Sequence, residues 1–168
     1  MFDKLLEIIR ELWMHLIPWY VVTEMENAVI LRFGKFHKVV KRGIHAKIPF
    51  ADVVYSQHIK TTTVHLEPQT LTTLDHKTIL IKAIVRYTIP NVKKYILEVW
   101  DAHDIINDTV QGVIGNIIGV NNWEDIEKGI EEVILTQTHD IVFKWGVNIE
   151  KVTLSDLGLV RTYRLIQH

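Results

Sequence analysis

The chain contains 168 residues, which is enough for one domain or for two small lobes that share a core. It contains no cysteine, so disulfides, thiolate metal sites, a catalytic cysteine and S-palmitoylation are excluded. Its 19 basic and 20 acidic residues give a formal net charge of −1, whereas nucleic-acid binding requires a concentrated basic surface. The composition therefore argues against a nucleic-acid partner.

The N-terminal stretch, residues 2–17, predicts an amphipathic helix, because its apolar side chains recur at three- and four-residue steps and charged side chains occupy the opposite side. Pro18 ends or kinks this helix, and two aromatic residues typical of a membrane–water boundary follow it. The apolar run is shorter than the about 20 residues that span a bilayer. We expect a helix that lies in the membrane interface. Its candidate membrane contacts are Phe2, Leu5, Leu6, Ile9, Leu12, Trp13, Leu16, Trp19 and Tyr20.

A second interpretation of the same pattern is a helix that packs on its own domain or on a neighbouring subunit. The bulky residues from Trp13 to Tyr20 favour the membrane. The mixed charge of the polar face weakens the case for anionic lipid as the helix's target. Both interpretations therefore remain open from the sequence.

Residues 20–66 predict a series of short antiparallel strands, because apolar and β-branched residues are separated by Gly, Pro and polar breaks. Val29, Leu31 and Phe33 alternate with other residues up to a turn at Gly34-Lys35. A second turn follows at residues 41–43. This part of the chain is expected to form an antiparallel meander.

Residues 69–90 predict the central strand of the molecule. A turn at Asp75-His76-Lys77 divides two strand-like segments, and the second segment alternates over residues 78–89. Leu80 and Ile84 are apolar exceptions on the face that is otherwise polar, so a monomer would leave them in contact with water. We therefore expect them to form a contact between subunits. The inward face is predicted to carry Ile79, Ile81, Ala83, Val85, Tyr87 and Ile89.

From Asn91 the hydrophobic period changes to that of helices. Asn91 is expected to cap a first helix whose apolar stripe is Val92, Tyr95, Ile96, Val99 and Trp100. Asp101 is expected to cap a second helix, with Ala102, Ile105, Ile106, Thr109, Val110, Val113, Ile114, Ile117 and Ile118 on its inner face.

A third helix is predicted to begin after Asn121 or Asn122 and to end at Gly146, which suits a left-handed C-terminal cap. Its predicted inward residues are Ile126, Ile130, Val133, Ile134, Ile141 and Trp145. A last strand follows, whose alternation slips at Glu150-Lys151 and so indicates a β-bulge.

Several of these segments resemble the stomatin/prohibitin/flotillin family, also called the SPFH or band 7 family. The similarity covers roughly residues 20–157, and no single motif within it is distinctive. The resemblance depends on the order and spacing of the motifs taken together. The matching residues are Arg32, Phe33, Gly34, Gly43, His45, Pro49, Phe50, Gln69, Thr73, Asp75, Trp145, Gly146, Val147, Val152, Leu154, Asp156 and Leu157.

The chain offers little that would support catalysis. Its nine histidines form no HxxxH or HExxH pair, and the His103-Asp104 and His139-Asp140 dipeptides fall mostly on polar helix faces. Neither a phosphate-binding glycine loop nor a serine nucleophile elbow is present. We expect no catalytic residues, no cofactor and no metal.

The predicted fold class is α+β: an antiparallel β-rich N-terminal lobe, a long central strand, then helices and a closing strand. The expected domains are an amphipathic helix over residues 1–19, an SPFH/band 7 domain over 20–160 and a short tail over 161–168 without the family's coiled coil. Within the domain, a β-rich half covers residues 20–90 and an α/β half covers 91–157.

The resemblance implies a non-enzymatic, stomatin-like or prohibitin-like scaffold. Such a protein self-assembles as a homo-oligomer at a membrane face, peripherally and from the cytoplasmic side. It would organise membrane lipid or a membrane protein such as a protease. The alternative is a soluble or peripheral domain that binds a full-length SPFH relative and modulates its assembly.

Overall fold

The computed structural model describes residues 18–100 and 102–161, together with Lys4, Glu7 and Arg10, which are helical and exposed. The chain divides into two compact units, residues 1–60 and residues 61–168, which are described separately below. Antiparallel strands come first, and helices and a closing strand follow. The predicted α+β class is therefore confirmed.

The first unit contains five short strands. They are β1 (Trp19–Val22), β2 (Glu26–Arg32), β3 (Lys35–Val40), β4 (Gly43–Ala46) and β5 (Asp52–His58). β1 pairs with β4, and β2 lies between β3 and β5, with every pairing antiparallel. The core of this unit is small and aliphatic, because strands of four to seven residues supply few inward positions. It consists of Val22, Ala28, Ile30 and Val40, with Tyr20 and Val54 packed against them.

A four-stranded antiparallel sheet forms the frame of the second unit. Its strands are β6 (Thr62–His65), β7 (Gln69–Thr72), β8 (Thr78–Thr88) and β9 (Asn148–Leu159). β8 pairs with β9 along one edge, while β6 and β7 share its other edge. The central role predicted for residues 78–89 is confirmed.

The two faces of β8 differ as the alternation predicted. Ile79, Ile81, Ala83, Val85 and Tyr87 are buried, as is Ile89 beyond the strand's end. The register between β8 and β9 shifts at two places, which leaves Glu150 and Ser155 as the extra residues of β9. The shift at Glu150 is the bulge predicted at Glu150-Lys151.

Helices cover the buried face of this sheet. They are α1 (Val92–Glu98), α2 (Ala102–Val120), α3 (Trp123–Glu127) and α4 (Glu131–Val142), followed by one 3₁₀ turn (Phe143–Trp145). α4 packs on β9 and on α2, and α2 also contacts β7. The predicted inner face of α2 is confirmed at Ile106, Val110, Val113, Ile114, Ile117 and Ile118.

The single third helix predicted from the sequence is wrong, because the structure has two helices there. α3 ends at Glu127 and α4 begins at Glu131, with Gly129 at a φ of 110° between them. A left-handed residue interrupts the helical hydrogen bonds, and glycine adopts that conformation without strain. The four-residue spacing of Ile126, Ile130 and Ile134 continues across the break, and this spacing masked it in the sequence.

Three predicted inward positions are also wrong. Trp100 is 92% exposed, because α1 ends at Glu98 and Val99 is already extended. Val133 and Ile141 are exposed on α4. The buried stripe of α4 follows strict four-residue steps instead, through Ile130, Ile134, Thr138 and Val142.

Two helix-end predictions are confirmed in full, and a third is confirmed in position only, because α3 begins directly after Asn122 but the Asn122 side chain makes no cap hydrogen bond. The Asn91 side chain accepts a hydrogen bond from the Lys94 backbone N–H at 3.2 Å, as an N-cap does. Gly146 has a φ of 80° and follows the 3₁₀ turn. The proposed cap at Asp101 lies outside the described residues.

Candidate functional site

Two exposed phenylalanines occupy neighbouring turns of the first unit. Phe33 and Gly34 form the two-residue turn between β2 and β3, with φ values of 49° and 75°, as a type I′ hairpin requires. Phe50 lies in the turn before β5, with a φ of 64°. The Phe33 backbone N–H donates to the Ala51 carbonyl at 2.8 Å, so the two turns are joined. Their side chains are 80% and 74% exposed, which is unusual for aromatic residues.

The turn that carries Phe50 is fixed by the carboxylate of Asp52. Arg32 donates to both of its oxygens, from Nε at 2.7 Å and from a terminal nitrogen at 3.0 Å. The Ile48 backbone N–H donates to the same carboxylate at 2.9 Å. The hydrogen bonding of Arg32 has the largest effect on the pKa of Asp52, and that of Ile48 has the next largest. Together they lower this pKa from 3.8 to about 2. The carboxylate is thus ionised at neutral pH and holds the turn closed.

The start of β1 reaches the same edge of the unit. The Lys47 backbone N–H donates to the Pro18 carbonyl at 2.7 Å, which brings Trp19 beside the loop that contains Ile48 and Phe50. Trp19 is 59% exposed, and Ile48 is exposed as well. We call the four residues Trp19, Phe33, Ile48 and Phe50 the aromatic edge. They form an exposed apolar group on a hydrogen-bonded framework.

A cavity of about 320 Å³ lies behind Phe50. Most of its wall is apolar, while Tyr20, Lys47 and Asp52 contribute polar groups. The Tyr20 hydroxyl is buried and has no hydrogen-bond partner among the described residues. Burial, and secondarily the charge of Asp52, raises the pKa of Tyr20, so this hydroxyl stays protonated and available as a donor. The cavity is lined by Tyr20, Lys47, Pro49, Phe50, Asp52, Val53 and Val54.

Of the nine predicted membrane contacts, two belong to the described part of the chain. Trp19 and Tyr20 form the first half of β1, where Trp19 points outward and Tyr20 packs on the core beside His45. The other seven lie outside the described residues: Phe2, Leu5, Leu6, Ile9, Leu12, Trp13 and Leu16.

The proposed subunit contacts, Leu80 and Ile84, lie on the open face of the second unit's sheet and are both half-buried. Leu80 stands opposite Thr70 and Gly158. Ile84 stands opposite His65 and Thr153. Small and polar neighbours therefore leave these two apolar side chains partly uncovered.

Within residues 18–100 and 102–161, no group of acidic and histidine side chains is arranged to hold a metal ion. His103 and Asp104 are exposed on α2, and Asp140 is exposed on α4. His139 accepts or donates a hydrogen bond with Asn148 at 3.2 Å. In the same part of the chain, no helix is both long enough and apolar enough to cross a membrane.

Residues 20–165 match the model of the SPFH domain / Band 7 family. The chain belongs to the SPFH/Band 7 family. One relative is an uncharacterised protein of Methanocaldococcus jannaschii, 31% identical over 144 residues that represent 82% of this chain and 70% of that protein. Membership supports a membrane-associated scaffold as the general class of function.

Two further relatives carry names. Mouse stomatin-like protein 3 is 27% identical over 83% of this chain and 50% of its own length. Protein HflK of Haemophilus influenzae is 26% identical over 84% of this chain and 33% of its own length. The chain thus spans half or less of these two named SPFH/Band 7 relatives.

Several residues that match the motifs of the SPFH/Band 7 family belong to the aromatic edge or to the turns and loop that hold it. They include Arg32, Phe33, Pro49 and Phe50. The exposure of Phe33 and Phe50 was missed in the sequence, where Phe33 was assigned to a strand and the turn was placed one residue too late. The Phe-Gly pair was the available signal, because two successive left-handed residues make the favoured hairpin turn. Phe50 had no comparable signal, since its conformation depends on Asp52, which is held in place by the distant Arg32.

Proposed function

We propose that this protein is a non-enzymatic, membrane-associated scaffold that docks on the lipid surface through the aromatic edge. It self-assembles there and organises lipid or a membrane protein partner, such as a membrane protease. The observation that carries the proposal is the exposure of Trp19, Phe33, Ile48 and Phe50 at one edge of a small unit. Membership of the SPFH/Band 7 family supports it.

The physical argument is the energy gained when these side chains leave water. Full burial of an apolar side chain contributes about 1.5–3 kcal/mol, and the boundary between headgroups and acyl chains favours Trp in particular. Phe33 and Phe50 are held at left-handed backbone positions that cost energy in a residue other than glycine. Their turns leave both residues largely exposed. This arrangement suits shallow insertion better than it suits packing in a core.

The N-terminal segment is proposed to strengthen the same contact. It continues from Pro18, whose carbonyl is hydrogen-bonded to Lys47 at the aromatic edge. An amphipathic helix over residues 2–17 would therefore meet the membrane beside Trp19. Two weak membrane contacts on one chain give far tighter attachment than either alone. We extend the proposal to peripheral attachment from the cytoplasmic side.

Flotation with lipid vesicles tests the proposal. The double variant Phe33→Asn, Phe50→Asn removes both rings, and Asn tolerates left-handed backbone better than most residues, so the fold should survive. A matched control is Val39→Asn, which makes an apolar-to-polar change at an exposed position of β3, outside the aromatic edge. We expect the double variant to lose most of its flotation and the control to float as wild type does. Equal flotation of all three proteins, with unchanged circular dichroism, would contradict docking through this edge.

A second pair of variants tests the helix by itself. Leu5→Asp with Ile9→Asp should release the protein from vesicles while the thermal midpoint of the folded domain stays the same. A fall in the midpoint without any change in flotation would instead support a helix that packs on protein.

A further inference from the structure

We propose that the cavity behind Phe50 binds the phosphate group of an anionic membrane lipid, with Lys47 and Tyr20 as its hydrogen-bond donors. This inference rests on the proposed function, because the cavity adjoins the aromatic edge and would meet lipid headgroups only when that edge is docked. It goes further by naming the lipid chemistry and the two side chains that recognise it.

The two donors are both free to bind an anion, but only the Tyr20 hydroxyl is buried without a partner. The Tyr20 hydroxyl has no hydrogen-bond partner in the part of the chain that the structure describes, although its oxygen is buried, and an unpaired buried hydroxyl costs about 1–3 kcal/mol. Lys47 is half-buried in the same cavity, and its amino group makes no ion pair with any acid of the described residues. An anionic acceptor between them would satisfy both groups.

The carboxylate of Asp52 also lines the cavity, and its negative charge, which contributes to the raised pKa of Tyr20, is largely balanced. Its charge is balanced by the Arg32 guanidinium, which bonds both oxygens, and the Ile48 N–H adds a third hydrogen bond. Arg32, Asp52 and Lys47 together carry a net charge of +1. The local field therefore favours an anion, and Lys47 is the cation left to neutralise it.

The rest of the wall fits the part of a lipid that adjoins its phosphate. Pro49, Phe50, Val53 and Val54 supply apolar surface next to the two donors. Phe50 and Val53 are exposed and stand at the side that faces solvent. A volume of about 320 Å³ is at the small end of ligand sites, which suits a headgroup and its glycerol but not whole acyl chains. The acyl chains would remain in the bilayer beside the aromatic edge.

The test is flotation with two vesicle compositions, pure phosphatidylcholine and the same lipid mixed with phosphatidylglycerol. The variants are Lys47→Ala and Tyr20→Phe, which removes the hydroxyl and keeps the ring. Lys41→Ala is the matched control, because Lys41 is an exposed lysine of the same unit that lines a different surface depression. Thermal unfolding of each variant verifies that the fold is intact.

We expect wild type to partition more strongly onto the phosphatidylglycerol vesicles. Lys47→Ala should lose about tenfold in that partition and Tyr20→Phe about threefold, since charged hydrogen bonds are the stronger ones. Both should lose less on pure phosphatidylcholine, because its choline group offsets the negative charge of its phosphate. Lys41→Ala should change partition by less than about twofold, as one distant surface charge does.

Two results overturn the inference by itself. One is that wild type floats equally with both vesicles, or that Lys47→Ala behaves as Lys41→Ala does. The other is saturable binding of inorganic phosphate by calorimetry without any preference for phosphatidylglycerol, which would assign the cavity to soluble phosphate. If wild type floats with neither vesicle, the proposed function and this inference both fail.

Discussion

Arg32 and Asp52 stand directly opposite each other at the ends of β2 and β5, and their side chains are joined by two hydrogen bonds of 2.7 and 3.0 Å. The Asp52 side chain is fully buried, whereas that of Arg32 is 34% exposed. This pair fixes the turn that presents Phe50 and one wall of the cavity. The stability of the site should therefore depend on the ionisation of Asp52.

The first prediction is an acid-sensitive first unit. The pKa of Asp52 is about 2 in the folded protein against 3.8 as its ordinary value. A lowered pKa contributes stability that is fully present above pH 3.8 and is lost as the pH falls towards about 2. We expect the thermal midpoint of wild type to fall through this window. The Asp52→Asn variant should have a lower thermal midpoint than wild type at neutral pH, and its midpoint should fall less in this acid window.

A matched comparison for that prediction is Glu24→Gln. Glu24 pairs with Arg42 on the surface of the same unit, where both side chains are mostly exposed. Exposed ion pairs contribute little, so this variant should follow the wild-type curve. A parallel shift of the Asp52→Asn curve, with the same dependence on pH as wild type, would show that another acid is responsible.

The second prediction concerns two glycines with opposite expected outcomes. Gly146 has a φ of 80°, and a Cβ there would collide with the carbonyl oxygen of Asn91, which is backbone and cannot move aside. Gly146→Ala should therefore destabilise by about 3 kcal/mol, more than the left-handed conformation alone costs. Gly112 is exposed inside α2, and a Cβ there meets nothing. Gly112→Ala should stabilise by about 1 kcal/mol.

Urea denaturation of both variants measures these changes as shifts of the midpoint. The pairing separates backbone strain from any general effect of an added methyl group. Destabilisation by both alanines, or by neither, would contradict this account of the end of α4.

The third prediction concerns a buried hydroxyl. Thr138 is fully buried in the stripe by which α4 meets the core, and its hydroxyl has no partner among the described residues. Thr138→Val keeps the shape and removes the polar group, so it should stabilise by about 1 kcal/mol. Thr136 is the control, because it is exposed on the same helix and its hydroxyl donates to the Glu132 carbonyl at 2.9 Å. Thr136→Val should be neutral or slightly destabilising in calorimetry.

The sequence was most informative where one face of an element is buried. The alternation along β8 identified every inward residue, and the four-residue steps of α2 did the same, because burial imposes the period of the element on the sequence. Local chemistry was equally reliable at Asn91 and Gly146. Each of these requires only its own neighbours to form the cap.

Prediction failed where the hydrophobic spacing continues across a break, and where contacts between distant residues decide the structure. The break at Gly129 interrupts a helix whose apolar spacing continues without change, so periodicity alone indicated one helix. The exposure of Phe50 depends on hydrogen bonds from Arg32 to Asp52, residues 20 positions apart. The cavity likewise combines Tyr20 with Lys47 and Val54, and no sequence pattern joins them.

The last prediction concerns self-association through the open face of the sheet. Leu80 stands beside Gly158, which has no side chain to cover it, and Ile84 stands between His65 and Thr153. We expect a homo-oligomer that is weak in solution and promoted by a lipid surface or by a full-length SPFH relative, because confinement raises the effective concentration of subunits. Leu80→Lys with Ile84→Lys should lower the association constant at least about tenfold, since apolar anchors at the centre of an interface dominate its affinity.

Thr88→Lys is the control for this variant, because it adds one positive charge, where the double variant adds two, at the end of the same face, opposite Asn148. Mass photometry with and without lipid nanodiscs measures both variants against wild type. Loss of oligomers in the double variant but not in the control would place the contact at Leu80 and Ile84. Wild-type protein that stays monomeric on nanodiscs, and that does not assemble with a full-length relative, would remove the mechanism by which this domain acts as a scaffold.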